Sequence, residues 1–373
     1  MIFGLIGKRL LVVLFLLRVA PAAAEYFPRE TFKPYVANGP YPFWSKTWVE
    51  LEPRVYRDSQ GIPYVRYRTG SSYNTTTISL FALEAYNEFA KYGRPADKRE
   101  FLQLADWILD HQEGACGCWP HDFDWKYQSL DVTLHPPWSS AMTQGLAISV
   151  LTRAQRIAGG SKYLQAAHQA LLPFTKSVAD GGVARRFSLL SSSSDESTVF
   201  YEEYPTQPYP SFTLNGFMFS LIGLHDLAAL SDKEAQELLE NGIAALRVAL
   251  PLYDDGDGSS YDLVHLTRPP RPVHRDVGYH LVHITLLNAL GSATGDSDLL
   301  WYRDHWNSFG SGLEPSFLWL QHLAIWLLLR HTALLIPLAA FLLLLAAIAI
   351  RSYWRKKSGV LLPATPSHFG GSW

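Results

Sequence analysis

Cysteine is scarce in this chain of 373 residues, which contains only Cys116 and Cys118. Two thiolates cannot supply the four ligands of a structural zinc site, so we expect no zinc domain. A single residue separates the two cysteines, and a disulfide across so short an interval is strained and rare. The sequence therefore predicts that neither a structural zinc nor a bond between these sulfurs organises the fold.

Charged residues are also sparse. They make up 18% of the chain, and the net charge is −2. This balance gives no bulk attraction toward nucleic acid or an anionic membrane surface, and we expect no nucleic-acid partner. Apolar residues reach 48%, which excludes general disorder and is enough for one large core or two modest ones. The aromatic share of 13% fits either large aromatic cores or a site for flat-faced ligands such as sugars.

The N-terminal residues 1–24 have the layout of a cleaved secretion signal. Lys8 and Arg9 precede the short apolar run LLVVLFLL, and the small residues APAAA follow it. This order of basic, apolar and small residues is typical of a signal peptide rather than a permanent membrane span. We expect cleavage near Ala24 and export of the mature chain.

The C-terminal part contains a stretch of 19 residues without a charge, 332–350. That length is enough for a transmembrane helix, and the basic residues that open the tail 351–373 predict a cytoplasmic C-terminus. Residues 313–331 are amphipathic and could lie at the membrane interface. We expect a single-pass membrane protein with an extracytoplasmic main domain, in the periplasm or at the surface of a bacterium or in the Golgi lumen of a eukaryote.

Between these ends the sequence pattern changes once. Residues 25–73 are rich in proline, tyrosine and tryptophan, which predicts an extended or β-containing segment. Residues 74–312 carry apolar stripes with helical spacing instead. The first stripe starts at residue 74, and the others cover 97–112, 138–157, 161–178, 210–230, 232–248 and 279–295. This pattern predicts a mainly α fold of stacked helical hairpins, which commonly wrap into an α/α toroid.

Three long connectors, 114–138, 181–210 and 253–280, hold most of the polar aromatic residues. Long connectors in a compact domain are more often functional than idle. His280, where the third connector ends, and His283 lie three residues apart on a predicted helix, a spacing that could serve a metal. Because no third ligand accompanies them, we predict no metal site.

The third connector is also rich in basic side chains, with Arg268, Arg271 and Arg275 among several histidines. One interpretation is a solvated basic loop. The other is a platform on which arginine forks hold the carboxylates or sulfates of an anionic ligand. The residues alone leave both interpretations open.

The second connector ends in YEEYPTQPYP, where three prolines keep the chain extended and present Glu202, Glu203 and Tyr204. An acidic pair in a surface loop is the ordinary interpretation. The apolar neighbours would instead raise the pKa of a carboxyl toward the range of a useful base. With Tyr261 and Tyr279, such a carboxyl could remove and return a proton on a carbon next to a carboxylate.

Four blocks carry a more specific signal: PWSSAMTQGLAISVLTRA at 137–154, FYEEYPTQPYPSFTLNGFMFSLIGLHDL at 200–227, LPLYDDGDGSSYDLVH at 250–265 and GYHLVHI at 278–284. In this order they resemble the C-terminal catalytic domain of the D-glucuronyl C5-epimerases. The resemblance covers roughly residues 55–295. It implies an incomplete α/α barrel, and an enzyme that inverts C5 of D-glucuronate within a polysaccharide to give L-iduronate without a cofactor.

The resemblance also implies the roles of four residues. Glu203 is the carboxylate base of the EEYP motif, and Tyr204 is the phenol beside it. Tyr261 is the phenol of the SYDL motif. Tyr279, in the YH motif, is the acid or base on the opposite face of the sugar. A phenol with a pKa of about 10 is a natural proton donor.

This chain has Val264 where the family has an arginine that pairs with the uronate. Substrate binding then falls to other side chains, for which we predict four arginines, a histidine, a tryptophan and two amides. They are Arg185, Arg186, Arg268, Arg275, His265, Trp138, Gln144 and Asn215. The implied ligand is an anionic uronate-containing polysaccharide, and a homodimer is one possible assembly.

Two other functions stay open. A uronic-acid polysaccharide lyase would use the same proton abstraction and then eliminate the leaving sugar. The absence of the family arginine at Val264 could instead mark a catalytically inactive, membrane-anchored glycan-binding protein. The lyase would form an unsaturated product, whereas the binding protein would exchange no C5 proton.

Overall fold

The computed structural model describes residues 32–42, 54–189 and 198–309. The predicted signal peptide, the juxtamembrane segment 313–331, the transmembrane helix 332–350 and the tail 351–373 lie outside these ranges. Among the described residues, no helix is both long and apolar enough to cross a membrane.

The described part of the chain is mainly helical, as the sequence predicts, and contains ten α-helices. In chain order their bounds are α1 Thr75–Tyr92, α2 Pro95–Asp110, α3 Ala141–Ala158, α4 Lys162–Gln169, α5 Leu172–Thr175, α6 Leu214–Ala228, α7 Lys233–Tyr253, α8 Val264–Thr267, α9 Val277–Thr294 and α10 Ser297–Ser308. Five of the helices begin at a side chain that accepts a backbone N–H, which stabilises the first turn. These N-cap residues are Asn74, Ser140, Asp232, Asp276 and Asp296.

Seven short strands form three antiparallel sheets in the described ranges. The strands are β1 Val55–Arg57, β2 Pro63–Tyr67, β3 Gly70–Ser72, β4 Trp125–Tyr127, β5 Val132–Leu134, β6 Ala184–Arg186 and β7 Val199–Tyr201. Strands β1 to β3 form the predicted N-terminal β-containing segment. Strands β4 and β5 pair within the first long connector, and strands β6 and β7 pair within the second.

The long helices pack as consecutive pairs: α1 with α2, α3 with α4, α6 with α7 and α9 with α10. The first helices of these pairs also pack one on the next, in the order α1, α3, α6, α9. Helices α3 and α6 approach backbone to backbone, because a Cβ on Gly145 or on Gly223 would overlap the main chain of the facing helix. Four helix pairs therefore share one apolar core along this row.

The predicted helices are found, with several differences. Helix α6 begins at Leu214 rather than residue 210, and helix α7 continues to Tyr253 rather than ending at residue 248. The stripe predicted over 161–178 is divided into α4 and α5, because Pro173 cannot donate a backbone hydrogen bond to the preceding turn. Helix α9 begins at Val277 rather than residue 279, where the Asp276 side chain accepts the N–H of Tyr279 at 3.0 Å. Helix α10 was not predicted from the sequence.

A buried ion pair fixes the segment 32–42 to the helices. Arg153 of α3 and Asp226 of α6 are fully buried, and Nη1 of the arginine lies 2.6 Å from Oδ2 of the aspartate. The Tyr35 hydroxyl donates to Asp226 at 2.6 Å and accepts from Arg153 at 2.8 Å. Ser149 and the backbone N–H of Asn38 also donate to Asp226. The N-terminal segment is thus part of the core.

The expectation that Cys116 and Cys118 stay unbonded is wrong, since the structure joins them in a disulfide. Gly117 between them adopts a left-handed conformation with φ of +61°. This turn brings the two Cα atoms to 5.1 Å, within the usual range for a disulfide. The bond closes a tight turn at the start of the first long connector.

Candidate active site

Glu203 lies in the extended segment between β7 and α6, where its neighbours fix the backbone on both sides. The N–H of Ala141, at the start of α3, donates to the carbonyl of Glu202 at 3.0 Å, and the N–H of Glu202 donates to the carbonyl of Val183 at 2.8 Å. These bonds direct the side chain of Glu203 into the protein, where it is only 6% exposed.

The carboxyl of Glu203 lies against the first turn of α6. A Cβ on Gly216 would overlap this carboxyl, so glycine is required for the contact. Burial raises the pKa of Glu203 to about 8, against the opposing effect of hydrogen bonds from the Tyr204 hydroxyl and the Gly216 N–H. Within the described part of the chain, its Oε2 atom has no hydrogen-bond partner. The group therefore carries a proton over much of the neutral range, and one of its two oxygens is buried without a hydrogen-bond partner among the described residues.

Glu202 has a different environment although it is the adjacent residue. It is fully buried, its Oε1 lies 2.9 Å from Nε of Arg185, and its Oε2 accepts from Ser211 and from the N–H of Phe212. Burial raises its pKa to about 7, and the Arg185 charge opposes that rise. Arg185 also donates to the carbonyl of Thr206 at 2.7 Å. Glu202 and Arg185 therefore hold the connector in place.

Three tyrosines gather around the Glu203 carboxyl. The hydroxyl of Tyr204 is hydrogen-bonded to Glu203 and to Tyr261. The rings of Tyr261 and Tyr279 lie 4.4 Å apart between centroids. Tyr261 is buried, whereas Tyr279 is 39% exposed. The four residues predicted as catalytic are therefore brought into one group that reaches from the core to the surface.

The phenols of Tyr204, which is partly buried, and Tyr261, which is buried, keep their protons at neutral pH. Burial raises the pKa values of Tyr204 and Tyr261 well above 10, and the negative charge of Glu203 raises them further. A phenol in this state donates a hydrogen bond or a proton and is a poor base at neutral pH. Compared with these two phenols, Glu203 has a pKa that suits it to remove a proton.

Aromatic side chains from the first long connector form a wall beside Tyr204. Its ring stacks on Trp125 at 5.8 Å between centroids, and lies 5.0 Å from Tyr127 and 6.2 Å from Trp138. Of these three, the sequence prediction named only Trp138. The aromatic density of the first long connector was the signal that could have found Trp125 and Tyr127.

Asp262 was also missed, although it is part of the SYDL motif. It is fully buried and accepts from the Tyr127 hydroxyl at 2.6 Å and from the N–H of Val264 at 3.1 Å. Nδ1 of His274 lies 3.1 Å from the same carboxylate. This bond raises the pKa of His274, although burial opposes it. Asp262 thus connects the aromatic wall to the segment that carries Tyr261.

The other predicted substrate-binding arginines are engaged elsewhere or lie apart from the tyrosines. Arg275 lies 2.5 Å from Oδ2 of Asp255, and Arg268 donates to the carbonyl of Leu130 and covers the ring of Tyr209. Arg186 is exposed on β6. Their predicted contact with a substrate stays a prediction.

The predicted amides and histidine divide into two groups. Gln144 is fully buried and donates to the carbonyls of Gly117 and Ala170, so it is used for packing. Asn215 and His265 each have a buried acceptor atom without a hydrogen-bond partner in the described ranges, and Asn215 lies in the first turn of α6 next to Gly216. These two remain candidates for polar contacts with a ligand.

Val264 is buried beside the tyrosine group. It packs with Tyr127, Leu130 and Tyr261 in a small apolar cluster. The side chain of an arginine at this position would begin next to Tyr261. In this chain that side of the site is apolar instead.

Comparisons with known proteins identify the family of this chain. A family model described as the C-terminus of D-glucuronyl C5-epimerase matches residues 112–308, a range that contains all four predicted catalytic residues. The chain belongs to this family. A D-glucuronyl C5-epimerase of Caenorhabditis elegans is 33% identical over 296 residues, which is 74% of this chain and 46% of the worm protein.

A second relative of this chain is an uncharacterized protein of Methanocaldococcus jannaschii. It is 26% identical over 190 residues, covering 50% of this chain and 56% of the archaeal protein. The epimerase-family chain thus spans about half the length of the curated relatives it matches.

Proposed function

We propose that this chain is a uronate C5-epimerase, which converts D-glucuronate residues within a polysaccharide to L-iduronate. The observation that carries the proposal is the buried Glu203 carboxyl, with a pKa of about 8, in contact with a group of protonated tyrosines. A carboxyl and a phenol in one site provide a base and an acid for the same carbon. The family membership supports the same class of reaction.

The proposed reaction has two proton transfers. The Glu203 carboxylate takes the proton from C5, and the electron pair of the C–H bond moves into the uronate carboxyl group to form an enolate. Tyr279 then gives its proton to C5 from the opposite face and becomes a phenolate. Because Tyr279 is 39% exposed, the phenolate can recover a proton from water. Glu203 gives up the proton that it took, so the next turnover starts from the same two groups. Within the sugar only the C5–H bond breaks and re-forms, and every step is a proton transfer, so the reaction needs no oxidant or reductant.

Tyr204 and Tyr261 have a supporting part in this reaction. Their hydroxyls keep their protons at neutral pH, so they can donate hydrogen bonds to the enolate oxygens as negative charge develops there. With Val264 in place of an arginine, these neutral phenols would supply hydrogen bonds to the uronate carboxyl group where the family motif supplies a positive charge.

A polymeric substrate is supported by aromatic rings that continue away from the site. Trp138 next to Tyr204 lies 5.8 Å from Phe123, which stacks on Tyr67 at 4.1 Å. Phe123 and Tyr67 line a cleft of about 230 Å³, together with Ser72, Asp122 and other residues. Rings with hydroxyls and carboxylates around them are suited to bind the apolar faces and hydroxyl groups of sugars. The cleft can hold a sugar unit of a chain that extends from the catalytic residues.

Two broader features complete the proposal. We interpret the row of helix pairs as an incomplete α/α barrel. The candidate site lies at the N-terminal ends of α6 and α9.

The Cys116–Cys118 disulfide favours an oxidising, extracytoplasmic compartment, which agrees with the predicted signal peptide and single membrane span.

The product of the reaction tests the proposal. The purified chain is incubated with a panel of glucuronate polymers that differ in sulfation, and iduronate is followed by its NMR signals. We expect iduronate from at least one polymer. An unsaturated uronate that absorbs in the near ultraviolet would identify a lyase, and binding without any product would identify a glycan-binding protein. Either of these results would contradict the proposed epimerase.

The pH dependence of the rate is a separate prediction. Only the carboxylate form of Glu203 can take the C5 proton, and with a pKa of about 8 this form is a minority at pH 7. We expect kcat to rise about tenfold per pH unit between pH 6 and about 7.5, and to level off above pH 8, because protonation follows a single titration in this range. A pH–rate profile of kcat for the wild-type enzyme checks it. A rate that is constant from pH 6 to 8 would contradict the assignment of Glu203 as base.

A further inference from the structure

Two histidines, His283 fully buried and His280 partly buried, connect the two segments that carry Tyr261 and Tyr279. Nδ1 of His280 lies 2.9 Å from Oγ of Ser259, and Nδ1 of His283 lies 2.8 Å from the same oxygen. The backbone N–H of Ser259 also donates to Nδ1 of His280 at 3.1 Å. One serine thus contacts both histidines. This shared contact accounts for the spacing of three residues between them, and no metal has to be invoked.

The positions of these residues relate the contact to the tyrosines. Ser259 precedes Tyr261 by two residues, and His280 directly follows Tyr279. Helix α9 and the segment before α8 are therefore joined at two neighbouring points. One is the ring contact of Tyr261 with Tyr279 at 4.4 Å, and the other is the Ser259–histidine cluster. A change in the Ser259–histidine cluster would therefore alter the distance between the rings of Tyr261 and Tyr279.

The hydrogen bonds determine the protonation of His280. A backbone N–H can only donate, so Nδ1 of His280 must be an acceptor without a proton. The ring proton is then on Nε2. The backbone of Trp306 in α10 also interacts with this ring and raises its pKa.

The Ser259 hydroxyl has one proton and two histidine neighbours. If it donates to His280, then His283 must carry its proton on Nδ1 and donate to Ser259. If the Ser259 hydroxyl donated to Nδ1 of His283 instead, the ring proton of His283 would lie on Nε2. That atom is buried without a partner in the described residues. Buried donors without a partner are rarer than such acceptors. The bonds therefore run from His283 to Ser259 and from Ser259 to His280.

We propose that Ser259, His280 and His283 are positioning residues that set the distance between Tyr261 and Tyr279, and that they do so only while His280 is neutral. This inference rests on the proposed function of the two tyrosines. A proton on Nδ1 of His280 would face the N–H of Ser259, donor against donor, and the connection would open.

The groups around His280 decide in which pH range this happens. Burial lowers the pKa of His280, and the Trp306 carbonyl and the charges of Asp255 and Asp254 oppose that effect. Asp255 is itself paired with Arg275, and Asp254 with His305 of α10 at 2.8 Å. On α9 itself, burial lowers the pKa of His283 well below its usual range. The connection is therefore intact at neutral pH and is lost only below the ordinary histidine pKa of about 6.5.

Two substitutions of one residue test the inference. His280→Asn keeps an acceptor near the position of Nδ1, whereas His280→Leu removes it. For C5 exchange at pH 7.5 we expect His280→Leu to lower kcat about tenfold with KM within twofold, since displaced acid and base groups slow the chemistry more than binding. His280→Asn should stay within about threefold of the wild-type kcat, because its amide oxygen restores the acceptor. Ser79→Ala, at another buried serine, is the control and should leave the rate unchanged.

The results separate a positioning role from packing alone. Equal losses in His280→Leu and His280→Asn, or a wild-type kcat in His280→Leu, would overturn the inference. The tautomer gives a second test that needs no variant and no activity. In ¹⁵N NMR spectra of the wild-type protein at pH 7.5, we expect the His280 proton on Nε2, and a proton on Nδ1 would overturn the inference. A wild-type protein that exchanges no C5 proton would contradict the proposed function, while the tautomer test would still apply.

Discussion

Replacement of Glu203 by glutamine should lower the rate of C5 proton exchange by about a thousandfold or more, since a positioned base typically contributes 10² to 10⁴. Glutamine keeps the size of the side chain and its contact with Gly216, but its amide cannot take a proton from carbon. The measurement is deuterium uptake at C5 with the variant and the wild type at saturating polymer.

A second glutamate, far from the motifs of the site in sequence, provides a control for this substitution. Glu240→Gln changes an exposed glutamate of α7 that accepts a hydrogen bond from Gln236, and this variant should exchange C5 protons at the wild-type rate. A Glu203→Gln variant that retains more than a tenth of the wild-type rate would assign the base to another residue.

The same substitution also affects stability in a pH-dependent way. The pKa of Glu203 is about 8 in the folded protein and about 4.3 in an unfolded chain, so the folded protein holds more protons between these values. The free energy of unfolding of the wild type therefore contains a contribution that decreases as the pH rises from about 4.3 to 8. Glu203→Gln removes that contribution, and its stability relative to the wild type should increase over this range.

Replacement of Arg153 by methionine should lower the free energy of unfolding by about 3–5 kcal/mol, because it leaves the buried charge of Asp226 without its partner. The arginine is fully buried and also donates to the Tyr35 hydroxyl and to the carbonyl of Gly39. Its loss would therefore loosen the segment 32–42 as well as the contact between α3 and α6. Urea unfolding of the folded domain measures the change.

Two further variants locate the cause of this loss. Lys162→Met breaks an exposed ion pair with Asp106 and should cost less than about 1 kcal/mol. The double substitution of Arg153 by Met and Asp226 by Leu removes both buried charges and should be less destabilising than Arg153→Met alone. If the double variant is as unstable as the sum of its single changes, the buried charge is not the cause.

The helical framework could be predicted because the apolar residues of the long helices repeat with helical spacing, as in α1 and α3. Helix α10 could not be predicted in this way. Only Leu299 and Trp306 are buried along it, and the charged Arg303 and Asp304 interrupt any apolar stripe. The disulfide was missed for a local reason, since a left-handed residue at Gly117 shortens the distance that the spacing alone suggests.

The catalytic group could be named from its motifs, but its surroundings depend on contacts that are distant in sequence. The Tyr127 hydroxyl reaches Asp262 across 135 residues, and no local pattern indicates that bond. The partners of the arginines could not be predicted from the sequence either. Arg275 and Arg185 are basic residues near the motifs, and only the fold shows that their charges face Asp255 and Glu202.

The most direct test of the central claim is C5 exchange in deuterated water, begun separately from a glucuronate polymer and from an iduronate polymer. If Glu203 and Tyr279 act on opposite faces, deuterium enters C5 from either starting polymer, and both reactions approach the same mixture of glucuronate and iduronate. Absence of C5 deuterium in every uronate polymer, under conditions where the folded protein binds that polymer, would contradict the account.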